Sequence, residues 1–76
     1  MFLIINLISL KKLYISSDHA GIKLKEIIKK YLLKRNINYF DLGPYSDNRV
    51  DYPDYAHKVA RKVKISKNNV GILVCG

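Results

Sequence analysis

Tryptophan is absent from this 76-residue chain, cysteine and methionine occur once each, proline twice and glycine four times. A single cysteine excludes an internal disulfide framework and a zinc site built on several thiolates. There are no internal repeats and no low-complexity segments. Acidic residues are scarce, 6 against 14 lysines and arginines, so the formal net charge is +8. That balance favours anionic partners (phosphates, nucleic acid or a membrane surface) without choosing among them. Long apolar runs are also missing. The longest, residues 1–10, stops at Lys11-Lys12, about half of the roughly 20 residues a membrane-spanning helix needs. The lysine pair follows the apolar run instead of preceding it, and no small-residue cleavage site comes after, which is the wrong order for a secretory signal. The run reads as an extra strand or a disordered tail. What remains is an ordinary globular composition, 49% hydrophobic and 26% charged, in a chain with room for one small domain. A domain of this size buries only about 60% of the surface its unfolded chain exposes, so its core is marginal.

From Lys12 onward two periodicities alternate. Residues 12–17 (KLYISS) hold a short β-prone run. Residues 20–35 place Leu24, Ile27, Ile28, Tyr31 and Leu32 at the spacing of an amphipathic helix, with lysines between them reading as its solvated face. Asp18 stands where an N-cap would. Residues 37–42 (INYFDL) are a second strand candidate, ended by Gly43-Pro44. Residues 45–51 read as a polar loop. A second helix is predicted to start near Pro53, with Asp51 as its cap, Asp54 and Lys58 as a supporting pair, and a stripe of Tyr55 or Ala56, Val59, Ala60 and Val63. After a turn at residues 66–69, Val70–Val74 (VGILV) is uninterrupted apolar sequence, as in a strand buried on both faces.

Strand, helix, strand, helix, strand predicts an α/β layer fold with a parallel sheet and right-handed crossovers. Ligands of such sheets bind outside the carboxyl ends of the strands. That rule selects Ser17-Asp18-His19, the loop at residues 43–51, and Cys75-Gly76, so a carboxylate, an imidazole and the sole thiol are expected at one rim. Each also has a plainer reading. Asp18 caps a helix, His19 faces solvent in a first turn, and a lone cysteine is usually a small buried hydrophobe. The helix lysines have no interleaved aromatics of the kind that stack nucleic-acid bases.

Three strings share a resemblance that bears on these alternatives. Ser16-Ser17-Asp18-His19-Ala20-Gly21 followed by Leu24-Lys25 resembles the opening of type B ribose-5-phosphate isomerases. Val50-Asp51-Tyr52-Pro53-Asp54-Tyr55-Ala56 is similar to that family's loop after its second strand, and Gly71-Ile72-Leu73-Val74-Cys75-Gly76 to the strand delivering its catalytic cysteine. They occur in the family's order and spacing, and the resemblance covers residues 11–76. The resemblance implies a Rossmann-like three-layer fold, truncated to about three strands and two helices. It also implies reversible conversion of ribose 5-phosphate to ribulose 5-phosphate through an enediol, in the pentose phosphate pathway, with no metal or organic cofactor. By the same resemblance Cys75 is the base that shuttles the proton between the first two sugar carbons. Asp18 and His19 bind the open sugar, Gly76 opens a glycine-rich loop that holds the enediolate oxygens, and Tyr52 lines the cleft. The implied setting is cytoplasmic, in a homodimer or higher oligomer, with a sugar phosphate as partner and neither membrane nor nucleic acid expected.

Members of this family run to about twice this length, the size of an ordinary single domain. The rest of the glycine-rich loop, a ring-opening histidine and phosphate-binding arginines would follow Gly76. Neither His19 nor His57 occupies the position of that histidine. The reading is therefore an apolar extension at residues 1–10 and the N-terminal half of an isomerase domain at 11–76, inactive by itself. Two other readings stand beside it. One is a subunit of the related galactose-6-phosphate isomerases, which share the cysteine strand. The other is a small basic α/β module that binds phosphate or nucleic acid without chemistry.

Overall fold

The computed structural model describes residues 12–45 and 52–76, with the backbone alone for residues 52–54. The elements are β1 (Leu13–Ser17), a 3-10 turn (His19–Gly21), α1 (Ile22–Lys34), β2 (Phe40–Asp41), α2 (Tyr52–Ile65) and β3 (Val70–Val74). The strands form one parallel sheet in the order β2-β1-β3, with Tyr14 opposite Phe40 and Gly71, and Ser17 opposite Val74. The chain moves from β1 to β2 in one direction and from β2 past β1 to β3 in the other. Right-handed crossovers in opposite directions put α1 and α2 on opposite faces, which gives the expected three layers. The predicted extension at residues 1–10, the Asp51 cap and the Asp54 side chain lie outside the described residues.

The ends of α1 follow from its sequence. Asp18, in extended conformation, accepts the Gly21 N–H on its side chain and caps the 3-10 turn that leads into the helix. At the other end Asn36 takes a left-handed φ of 58°, and the N–H groups of Asn36 and Ile37 donate to Leu33 and Leu32. This is the Schellman closure, and Asn is among the few residues other than glycine that tolerate the left-handed position.

Three expectations need correction. The stripe Leu24, Ile27 and Tyr31 does not enter the core: these residues are 50%, 62% and 53% exposed, and of the predicted set only Leu32 is fully buried. The helix is rotated so that Gly21, Lys25 and Leu32 face inward, because the Lys25 ammonium finds a carboxylate and a carbonyl beneath it. Residues 37–39 are not strand. Ile37 is spent closing α1, and pairing with β1 begins only at Phe40. β3 is not buried on both faces, since it lies at the edge of the described sheet; Val70 and Leu73 are 38% and 39% exposed and only Val74 is buried. The α2 stripe agrees better. Val59 is buried, Tyr55, Ala56 and Val63 are half-buried, and Ala60 is exposed.

Close approach of β3 to α2 depends on Gly71. A methyl group there would lie 2.5 Å from Val59 Cγ1 and 2.9 Å from Val63 Cγ2. Both atoms belong to stiff β-branched side chains that cannot swing away cheaply. Gly71→Ala should therefore destabilise the fold by about 1–3 kcal/mol, the usual cost of overpacking. A urea titration should show a lower midpoint at unchanged slope.

Candidate active site

All three strands are parallel, so their carboxyl ends share a rim, and backbone bonds fasten that rim together. The Asp18 N–H donates to the Val74 carbonyl at 3.2 Å, and the Ser17 N–H donates to the Gly43 carbonyl at 3.3 Å. The Ser16 hydroxyl donates to the same Gly43 carbonyl at 2.6 Å. β1 is thereby tied at its tip both to β3 and to the loop after β2.

Asp18 is the centre of this rim. Its carboxylate accepts the Gly21 N–H at 2.7 Å and the Gly76 N–H at 3.0 and 3.2 Å, one distance to each oxygen. The capping and functional readings of Asp18 are thus not exclusive: one carboxylate caps the helical turn and also grips the residue after Cys75, 58 positions along the chain. Gly76 packs so closely on Ala20 that a side chain would come within 2.5 Å of the Ala20 carbonyl carbon. The Gly76 N–H, expected to face an enediolate, donates to Asp18 in this arrangement. His19, Cys75 and Gly76 are exposed beside Asp18. The structure therefore brings Asp18, His19, Cys75 and Gly76 to one rim, as expected from the strand ends. The Tyr52 side chain lies outside the described residues.

A second cluster at the β2 end of the rim was not singled out from sequence. Lys25 is fully buried, contrary to the reading of the α1 lysines as a solvated face. Its ammonium donates to Asp41 Oδ1 at 2.8 Å and to the Pro44 carbonyl. Lys29 donates to Asp41 Oδ2 at 2.7 Å and to Glu26 at 2.9 Å. The Gly43 N–H donates to Asp41 Oδ1 at 2.8 Å, and the Tyr45 hydroxyl to the Asp41 carbonyl at 2.7 Å. Partial burial pushes the Asp41 carboxyl up, but the hydrogen bonds from Lys25, Lys29 and Gly43 outweigh it and hold the group below the usual carboxylate range. Burial likewise opposes the charge on Lys29, yet its bonds to Asp41 and Glu26 prevail and raise it above the usual lysine value. The cluster fixes the segment Gly43 to Tyr45, whose first carbonyl holds the tip of β1. Gly43 itself has φ 99°, a left-handed conformation suited to glycine. The available signal in the sequence was a pair of lysines four apart on α1 with an aspartate closing β2.

Chemically, the rim offers a carboxylate held by two backbone N–H groups, an exposed imidazole next to it and an exposed thiol across from it. Among the described residues no three His, Cys, Asp or Glu side chains gather as a metal site would require. No helix among them is long and apolar enough to cross a membrane.

Comparison with known proteins gives consistent matches. The family model described as Ribose/Galactose Isomerase matches residues 13–76. Ribose-5-phosphate isomerase B of Escherichia coli (strain K12) is 40% identical over 67 residues, which cover 88% of this chain and 45% of that protein. A solved structure of the ribose 5-phosphate isomerase of Thermotoga maritima superposes with a TM-score of 0.80 at 49% identity, covering 86% of this chain and 45% of that one. Ribose-5-phosphate isomerase B of Mycoplasma genitalium, solved with bound ribulose-5-phosphate, superposes at 0.79 with 47% identity, covering 90% of this chain and 46% of that one. The chain spans less than half the length of these relatives.

Proposed function

This chain belongs to the ribose/galactose isomerase family, and on that premise we propose that it supplies the cysteine-bearing part of a site interconverting ribose 5-phosphate and ribulose 5-phosphate. The observation that carries the reading is the Asp18 carboxylate joined to the backbone beside Cys75. It supports the reading by bringing Asp18, His19 and Cys75 to one rim. In the proposed reaction the Cys75 thiolate takes the proton from C2 of the open aldose. The electron pair moves to the C1–C2 bond and the C1 carbonyl oxygen becomes hydroxyl, giving an enediol. The proton then returns from sulfur to C1 and C2 becomes the ketose carbonyl; the proton released by O2 balances the one taken up by O1, so none is gained or lost overall. Asp18 and His19 bind the sugar hydroxyls, Gly76 begins the segment that holds the oxygens, and Tyr52 lines the cleft. A cytoplasmic setting and an oligomeric assembly belong to the same proposal. The pentose-phosphate relatives support this substrate over a hexose phosphate, and a non-catalytic basic module is not favoured as the function of the chain.

The relatives carry more than half of their length beyond the matched region. The 76 residues alone should therefore show no turnover of ribose 5-phosphate. Removal of a single oxyanion donor typically costs about 10²–10³ in rate, and several groups are lost together. A chimera joining residues 12–76 to the remaining part of the Mycoplasma relative should form ribulose 5-phosphate. Cys75→Ala in the chimera should lower kcat by at least about 10²-fold, the lower range for loss of an acid–base group. A folded chimera without activity, or one indifferent to Cys75→Ala, would overturn the reading.

A further inference from the structure

A groove along α2 holds a different chemistry. α2 runs from the carboxyl ends of the strands back toward Val70, so its final turn lies near their amino ends, while Leu42 directly follows β2. There a cavity of about 290 Å³ opens between α2 and the residue after β2, lined by Leu42, Lys58, Arg61, Lys62 and Ile65. Positions 58, 61, 62 and 65 share one helix face, with neighbouring Cβ atoms about 5–6 Å apart. Three cationic side chains thus line the groove together with Leu42 and the exposed Ile65. The Lys58 ammonium also lies 4.6 Å from the Tyr55 ring centroid. Residues 55–65 contain no acidic residue. The ion pairs among the described residues are all made by Lys25 and Lys29, so none uses Lys58, Arg61 or Lys62. A helix face that is merely solvated needs no concavity.

We propose that this groove binds a small polyphosphate anion, free or esterified to an organic body. Adjacent phosphoryl groups carry closely spaced negative charge that one helical turn of Lys58, Arg61 and Lys62 can meet together. Arg61 supplies a planar fork for two phosphoryl oxygens, and the lysines add point charges. The volume lies at the lower limit of small-molecule sites, about 300 Å³, which suits a phosphate chain with its organic part resting on Leu42 and Ile65. Among the described residues no aromatic side chain lines the cavity, so they offer none of the stacking platforms of single-stranded nucleic-acid sites. Its lining includes none of Asp18, His19, Cys75 or Gly76, so the site does not depend on the isomerase reading.

The test is calorimetric titration of the 76-residue chain, in metal-free buffer at about 0.15 M salt, where the screening length is about 8 Å, with inorganic tripolyphosphate, with ATP and with a short DNA duplex. Tripolyphosphate should bind saturably. Tighter binding of ATP would assign an esterified ligand, and tighter or equal binding of tripolyphosphate a free one; either supports the site. Arg61→Glu with Lys62→Glu should weaken binding about tenfold or more, as expected for loss of charge-assisted bonds. Lys30→Glu with Lys34→Glu makes the same charge change on α1 and should alter affinity by less than about twofold at this separation. In the unmutated chain, tripolyphosphate should protect Lys58 and Lys62 from acetylation in preference to Lys30 and Lys34. No saturable binding, equal losses in the two double variants, uniform lysine protection, or a duplex that binds more tightly than both small anions would overturn the proposal.

Discussion

Asp41→Asn should destabilise this fold by about 3–5 kcal/mol, the cost of leaving a buried charge without its partner. The asymmetry of the cluster makes that loss specific. Lys25 is fully buried, and its ammonium meets Asp41 Oδ1 and the Pro44 carbonyl. Without the carboxylate charge it keeps only neutral acceptors, the Pro44 carbonyl and the new amide oxygen, in a site closed to water. Asp41, by contrast, loses only one of several donors when Lys25 is changed, because Lys29 and the Gly43 N–H remain. Lys25→Met preserves the length of the side chain and removes the buried cation, so it should cost less than about half as much. A domain this small has only a few kcal/mol in reserve. The Asn variant should therefore be largely unfolded in urea titrations followed by far-UV circular dichroism, and the Met variant folded. Equal losses would show that the pair is not what holds α1 to the end of β2. The pH dependence has a definite sign. The folded Asp41 carboxyl lies below its ordinary 3.8, so between these values the unfolded chain binds more protons and stability rises with pH. Its contribution is complete above the ordinary value and lost as pH falls through the lower, folded one. Lys29 behaves oppositely. Its contribution is complete below the ordinary 10.5 and lost as pH climbs toward the raised folded value. Asp41→Asn should flatten the acid limb.

How much of this was legible in the sequence depends on which residues carried the signal. The layer fold was legible because VGILV, KLYISS and the 3.6-residue spacing from Leu24 to Leu32 are local patterns. Asp18 was legible as a cap because capping spans three residues, and as a rim residue because strand ends in parallel sheets gather on one side. Its hold on the Gly76 N–H was not, since that bond joins residues 58 apart. Burial of Lys25 was hidden for a different reason. A lysine between apolar neighbours reads as solvated, and nothing local shows that Asp41 and the Pro44 carbonyl wait beneath it. Once those acceptors set the rotation of α1, Leu24, Ile27 and Tyr31 must turn outward. The edge position of β3 was hidden as well. Strand order is a property of the assembled sheet, and VGILV reads the same in the middle as at the side. For the groove on α2, the cations at positions 58, 61 and 62 were visible as charge, but their facing Leu42 required the β2–α2 geometry.

At micromolar concentration the 76-residue chain should self-associate, and added salt should promote association. Among the described strands none pairs with the outer edge of β3. Its backbone there is a template for another strand, and Val70 and Leu73 are more than a third exposed. On the opposite face α1 presents Leu24, Ile27 and Tyr31, each at least half exposed. Parallel sheets are ordinarily covered on both faces, and a small scaffold gains little net stability even with a complete core. Against this stands the net charge of +8, which holds molecules apart through a repulsion that reaches about 10 Å at 0.1 M salt and about 3 Å at 1 M. Raising salt removes the repulsion and leaves the apolar contact intact, so the sedimentation coefficient should increase with both concentration and ionic strength. Leu73→Lys and Ile27→Lys place charges on the two exposed apolar surfaces and should each shift the distribution toward monomer. Hydrogen exchange should find β1 amides protected and the outward amides of β3 exchanging unless the chain has associated. A monodisperse monomer at low and high salt, with every β3 amide strongly protected, would show that the exposed edge and the α1 stripe need no covering partner.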